Sequence, residues 1–463
     1  MYRGRLRLSA GVAVCLAVAS LCACTSSVTH STQYDREQSS GSSGRAQALE
    51  KESDRQTSQS IGTMRDPSTC ERQSLGPADL SLAILSVAGR RTQDVEFIVD
   101  TTMQRVDRFH GTSAGSTTDF DRPLQLIGMG EDDTALAVPQ ALPQPEHSAP
   151  TSVGILKKGT FSPFSSTQLL ADQLPKVVTP APLAGTISHG YAVWTEQLVT
   201  GETASSAWKM AWRVMGASAE NSASASELLS SWTLTGQEIL PIGSGWVPPA
   251  VDGQYAYIAA ILPRSSSDKT TEEQIVQVAL DRPGNVVSRH QGRLPAVIGQ
   301  DVAWIQDTTG NGSEAAQDTF TLHWARSTHS DIAIETGDYF KVQWLAGDER
   351  FLVFVLQDRC SARTWVGRFD REKGVFTGWI YSKSDGISLS LNDSVAVWGN
   401  GSGNIGSDMY RWNLRTDKVE YLGKNDGFSV PFSAGDGIAA VPSFNEGTSF
   451  PRVQWSFEQP IGY

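Results

Sequence analysis

The stretch Val395–Gly423, "VAVWGNGSGNIGSDMYRWNLRTDKVEYLG", decides the fold. A short apolar run, opened by Asn392-Asp393-Ser394, gives way to a polar, glycine-rich loop. After the loop, "RWNLRTDKVEYL" alternates apolar and polar residues on either side of Arg415–Lys418. A period of two on both sides of a four-residue turn is the pattern of a β-hairpin. The run and the hairpin make three strands, and a short run ahead of each such unit adds a fourth, as in "KVQWLAG" before Phe351 or "VPFSAG" before Ile438.

The same unit recurs along the chain. "SHGYAVWTE", "DGQYAYIAA", "GQDVAWIQD", "DERFLVFVLQD", "NDSVAVWGN" and "GDGIAAVPS" have their first apolar residues at Tyr191, Tyr255, Val302, Phe351, Val395 and Ile438, and "EDDTALAVPQ" from Glu131 is a weaker copy. The spacings are 64, 47, 49, 44 and 43 residues. A repeat near 45 residues that carries only strand patterns is the mark of propeller blades, not of helical solenoids.

Six complete units are expected, at roughly 122–168, 179–235, 244–291, 294–336, 340–383 and 386–423. Two partial ones remain. "LSLAILSVAGRRTQDVEFIVDTTMQRVDRF", from Leu80, has the pattern of the last three strands of a unit, and "FSVPFSAGDGIAAVPS" with "RVQWSFE" that of the first three. Joining the two ends in one blade would close the ring and remove exposed sheet edges. The expected fold is therefore all-β, a seven-bladed β-propeller of four-stranded blades, with eight blades as the alternative. The repeat style, a Gly/Asp-led strand followed by a hairpin over residues 76–463, resembles the TolB-like class of bacterial β-propellers.

Ahead of the propeller the chain has three different characters. Arg3, Arg5 and Arg7 precede the apolar run Leu8–Ala23, which is too short and too rich in alanine to span a bilayer but has the length and flanks of an export signal. The tetrad Leu21-Cys22-Ala23-Cys24 resembles the bacterial lipobox, which implies cleavage after residue 23 and acylation of Cys24. Cys22 stands where that motif usually has Ser, Ala or Thr. Residues 24–75 are polar and Ser-rich, and Val28, Tyr34, Leu49, Ile61 and Met64 are too few to bury a core, so a disordered tether is expected. Its flexible span would be roughly 35 to 40 Å. With Cys15 and Cys22 in the signal and Cys24 acylated, Cys70 and Cys360 remain, and in an exported protein they are expected to form a disulfide.

The chain carries 50 acidic against 38 basic residues, a net charge of -12, which argues against a nucleic-acid partner. Its 13 tryptophans all lie between Trp194 and Trp455, and Trp194, Trp304 and Trp398 recur in the repeat strand, as inter-blade packing requires. Trp208 and Trp212 could instead be exposed on a longer blade. The loop from Asp307 to Asp318 places Asp307, Thr309, Asn311, Gly312 and Asp318 at calcium-loop positions, but Thr at the third and Asp at the twelfth weaken it, and an ordinary hairpin loop is expected. None of the seven histidines has metal-ligand spacing to another, and no catalytic motif is present. No metal, no cofactor and no catalytic residue are therefore assigned.

The expected function is a binding or scaffolding module for an envelope protein or glycan, anchored to the bacterial membrane by lipidated Cys24 and facing the extracytoplasmic side. The alternative is a glycan-processing hydrolase or lyase at the channel mouth. That alternative requires carboxylates such as Asp252, Asp301, Asp348 and Asp436, at the blade starts, to converge.

Overall fold

The structure, a computed structural model, describes thirty-three strands and the shorter turns that join them, between residues 86 and 458. Residues 1–85 and 459–463 lie outside the described set, as do connections that include 140–151, 201–208, 232–246, 309–318, 359–363 and 445–450. The described residues belong to one compact unit, Arg65–Leu142 with His147–Tyr463.

Six blades are each built from one continuous stretch as a four-stranded antiparallel meander. Blade one is Leu124–Met129, Thr134–Pro139, Gly154–Lys157 and Thr160–Pro163. Blade two is Val177–Ser188, Tyr191–Thr200, Lys209–Ser218 and Ser224–Ser230. Blade three is Ala250–Val251, Tyr255–Pro263, Thr271–Ala279 and Val286–Gln291. Blade four is Arg293–Ile298, Asp301–Thr308, Thr319–Trp324 and Ile332–Glu335. Blade five is Phe340–Gly347, Phe351–Asp358, Thr364–Asp370 and Val375–Ser382. Blade six is Ile387–Asn392, Val395–Asn400, Ser407–Asn413 and Lys418–Asn425.

One further sheet is composite. Phe432–Ala434, Ile438–Phe444 and Pro451–Glu458 come from the C-terminal part of the chain, and Gly111–Ser116 pairs antiparallel with the last of them. The first strands of successive sheets neighbour one another, and Phe432–Ala434 lies beside those of both blade six and blade one.

These sheets correct the expected blade organisation. The expected count of seven blades, or eight, is corrected to six: the described residues form a propeller of six continuous four-stranded blades, and the composite sheet does not make a seventh of that kind. The N-terminal run does not supply three strands to one blade. Ser86–Val87 pairs with the outer strand of blade four and forms a short hairpin with Arg90–Arg91. Phe97–Asp100 then lies parallel to the outer strand of blade five, Asp107–Arg108 parallel to that of blade six, and only Gly111–Ser116 enters the closing sheet. Ser165–Gln168, expected in the first unit, likewise crosses to the outer edge of blade two, parallel to Ser224–Ser230. The reason is physical: every blade ends on an edge strand with unpaired N–H and C=O groups, and short strands from elsewhere in the chain satisfy four of those edges in turn. A period-two pattern shows that a segment is a strand but not which edge it joins.

Turn chemistry explains the hairpins. His189 and Gly190 have φ of 52° and 77°, and Asp393 and Ser394 have φ of 43° and 61°. These left-handed pairs are the two-residue turns whose twist matches the flanking strands. Asp252 Oδ1 accepts from the backbone N–H of Gln254 and Tyr255, and Asp348 Oδ1 from those of Arg350 and Phe351, so the recurring Asp at the blade starts closes the same turn by its side chain.

The core lies between blades. Phe351–Asp358 and Thr364–Asp370, in the middle of blade five, are buried at every residue because neighbouring blades cover both faces. Leu352, Phe354 and Leu356 pack towards blade four, and Val353 and Val355 towards Trp398 and Trp412 of blade six. Trp194, Trp304 and Trp398 are all buried in such seams, and so is Trp212, which therefore packs in the core and is not exposed on a longer blade; Trp208 lies outside the described residues.

Candidate functional site

The richest polar arrangement lies in the seam between blades three and four. There the chain passes from the outer strand of one blade to the inner strand of the next through a single residue, Gly292. Its φ is +144°, and a Cβ would stand 2.5 Å from Trp304 Cδ1 and 2.7 Å from the Ile305 carbonyl oxygen. Glycine is required because no side chain fits between the backbone and that indole.

Arg293 follows and is nearly buried. Its Nε and Nη2 donate to both carboxylate oxygens of Asp307 at 3.0 and 3.1 Å, its Nη1 donates to the Val342 carbonyl of blade five at 2.7 Å, and Glu273 Oε2 stands 3.4 Å from Nε. A fork-to-fork pair of this kind fixes both partners in orientation. Burial raises the pKa of Glu273, an effect that Arg293 and Lys341 offset only in part and Asp307 reinforces. Around these groups is a cavity of about 90 Å³, lined also by Gln291, Gln306, Gly292 and Ile305.

Beside the cavity the polar groups continue without a break. Gln306 Nε2 donates to Gln291 Oε1 at 2.8 Å, and Gln306 Oε1 lies 2.8 Å from His323 Nε2, whose Nδ1 is 2.9 Å from Asp331 Oδ2. The Trp304 ring lies between the imidazoles of His290 and His323, with centroids 5.0 and 5.8 Å away. Burial, followed by the charge of His323, lowers the pKa of His290. Ser288 Oγ donates to Gln277 Oε1 at 2.6 Å and lies 2.8 Å from His290 Nε2. Its only proton is directed to the amide, so this Ser-His contact is not the arrangement of an activated nucleophile.

The residues singled out in the sequence fall elsewhere or are already engaged. Asp252 and Asp348 cap turns, Asp252 Oδ2 also accepts from the Tyr257 hydroxyl at 3.0 Å, and Asp301 Oδ1 accepts from the backbone N–H of Val302 and Arg326. Asp436 lies outside the described residues, as do Cys24, Cys70 and Cys360. Asp307 is held by Arg293, as a calcium ligand would not be, while Thr309, Asn311, Gly312 and Asp318 fall outside the description. Among the described residues no group of three or more His, Cys, Asp and Glu side chains is placed to hold a metal.

Sequence reasoning missed Glu273, Gln291, Arg293 and Gln306. The available signal was "HQGR", His290–Arg293, where a polar strand end and the next inner strand are separated by one glycine. At the other described blade-to-blade passages the connection is longer.

No protein-family model matches the chain, and no curated protein matches its sequence. Among solved structures it is similar to the β-propeller domain of the Trilobed protease from Pyrococcus furiosus, at 7% identity and a TM-score of 0.41, over 69% of this chain and 90% of that one. It is also similar to an oligogalacturonate lyase in complex with manganese, at 11% identity and a TM-score of 0.42, over 77% of this chain and 98% of that one. An uncharacterized protein from Listeria monocytogenes EGD-e has 9% identity and a TM-score of 0.41, over 75% and 92% of the two chains. The chain's own blade sheets make it a β-propeller.

Proposed function

We propose that this protein is an exported TolB-like propeller, acylated at Cys24 and held by residues 24–75 at the extracytoplasmic side of a bacterial membrane, where it binds an envelope protein or glycan in the seam between blades three and four. One observation carries the binding role. The seam gathers planar polar side chains from two blades around an open cavity, and its carboxylate–guanidinium pair is already fixed in place by the fold. Rigid, pre-oriented hydrogen-bonding groups lower the ordering cost of binding. The hydrolase reading has less support, since Asp252, Asp301 and Asp348 each spend a carboxylate oxygen on backbone N–H groups at a turn.

The test is a photo-crosslinking residue at Gln291 in cells, with one at the exposed Arg282 as control. An envelope component captured from Gln291 but not from Arg282 is expected. Equal capture from both positions overturns the assignment to the seam. For the anchor, the mass of the mature N-terminus is expected to show a diacylated Cys24, and an unacylated product beginning at another residue sinks it.

A further inference from the structure

We infer that the seam between blades three and four takes a neutral, polyhydroxylated ligand, through a pair of adjacent sugar hydroxyls, and not an ion or a charged peptide. This rests on the binding reading above and names the ligand class for that site.

The first ground is charge. Arg293 is engaged by both oxygens of Asp307 and stands beside Glu273, and the positive charge of Lys341, outside the cavity lining, also acts on Glu273. The two carboxylates of the lining are thus offset by Arg293 among them and by Lys341 beyond it. A site for an ion keeps an unbalanced charge to offset the ligand's lost hydration, and this one does not.

The second ground is hydrogen-bonding capacity. Asp307 and the Val342 carbonyl use one N–H on each of the three guanidinium nitrogens, which leaves two of the five N–H groups of an arginine over. Gln291 uses its oxygen on Gln306, so its NH₂ group projects at the exposed end of blade three with two donors. Glu273 adds acceptors, with half of its side chain exposed. Donors and acceptors thus stand together around the opening on planar groups. A hydroxyl both donates and accepts, and two on adjacent carbons match such an array without any change of charge.

The third ground is size and lining. The cavity of about 90 Å³ is several times the roughly 10–15 Å³ that one water requires, so it admits an edge of a sugar ring but not a whole oligosaccharide. Apart from Gly292 and Ile305 its lining is polar.

The experiment is calorimetric titration of the full mature chain in detergent with neutral cello-, malto-, manno- and chito-tetraoses, and separately with tetragalacturonate and tetralysine. At least one neutral saccharide is expected to bind, with an affinity that changes less than about twofold between low and high salt because no ion pair is formed. Gln306→Ala and, independently, the more exposed Gln291→Ala are expected to weaken it about tenfold, the equivalent of roughly one lost hydrogen bond. Arg282→Ala, in the turn of blade three, leaves it unchanged. Binding confined to the charged probes, neutral binding that both glutamine variants retain, or no binding by any probe overturns the inference. If no saccharide binds while the crosslinker at Gln291 still captures an envelope component, the ligand class falls and the binding reading stands.

Discussion

Asn392 Nδ2 donates to the Gly130 carbonyl oxygen at 2.8 Å, joining the end of blade six's first strand to the end of blade one's. The two residues stand on either side of the closing sheet, whose first strand, Phe432–Ala434, is only three residues long. Ser433 completes the junction, its N–H donating to Ser390 Oγ at 3.0 Å. The bond thus links directly the two blades that flank the composite sheet. Asn392→Ala is expected to lower stability by about 1 kcal/mol, the net worth of one such bond. Thermal unfolding checks this, and an unchanged midpoint would show that the closing sheet holds the circle without it.

The N-terminal strands also cover charge. Arg411, fully buried on blade six, lies with its guanidinium 4.6 Å from the Phe109 ring, just after Asp107–Arg108, and 3.2 Å from Glu420 Oε2. Glu420 has a second partner, Lys418 Nζ, at 2.9 Å. Glu420 therefore answers two cations. Glu420→Leu removes the carboxylate from beside both, one of them fully buried, and is expected to cost about 3–5 kcal/mol, whereas Arg411→Met keeps the Lys418 contact and costs less. Denaturant unfolding of the two variants gives the comparison, and the reverse order contradicts this expectation.

These two contacts show where sequence reading stops. The hairpin at "RWNLRTDKVEYL" was legible because alternation and turn residues are local, and so were six blade units, because each folds from continuous chain. The paths of Phe97–Asp100 and Asp107–Arg108 were not, because their partners lie roughly three hundred residues away and any exposed edge would accept the same pattern. Gln291 and Gln306 were illegible for a related reason: each is an ordinary surface amide until neighbouring blades bring the two within 2.8 Å.

A second buried charge cluster gives a pH dependence. In blade two, Arg213 Nε bonds Glu196 Oε2 at 2.6 Å while Glu227, 1% exposed, stands 3.9 Å from Arg213 Nη1. One guanidinium serves two carboxyls. Burial raises the pKa of Glu227, the Ser230 hydrogen bond and Arg213 lower it by less, and Glu196 adds to the rise. A carboxyl whose folded pKa is raised stabilises the fold fully below its unfolded pKa and loses that contribution as pH climbs through the folded value. Glu227→Gln, which keeps the neutral shape, is therefore expected to gain on the parent protein as pH rises from 5 to 8. The melting midpoints of both proteins across that range decide it, and a constant difference sinks the assignment.

The last prediction concerns the seam's own construction. Gly292 and Gly374 both have positive φ, +144° and +67°, but differ in surroundings: a Cβ on Gly292 meets the Trp304 ring and the Ile305 carbonyl inside 3 Å, and one on Gly374 meets nothing within 4 Å. Gly374→Ala tests backbone strain alone and is expected to cost about 1 kcal/mol. Gly292→Ala adds a collision with backbone and with the buried Trp304 indole, which is flanked by His290 and His323. Its cost is expected to reach about 3 kcal/mol or more, in the range of strained and overpacked sites. Near-ultraviolet circular dichroism supplies a second readout, because displacing Trp304 alters its asymmetric environment where Gly374→Ala does not. Equal losses for the two variants would mean that the seam yields easily, and a seam that yields could not hold Gln291, Arg293 and Gln306 in the fixed array on which ligand binding there depends.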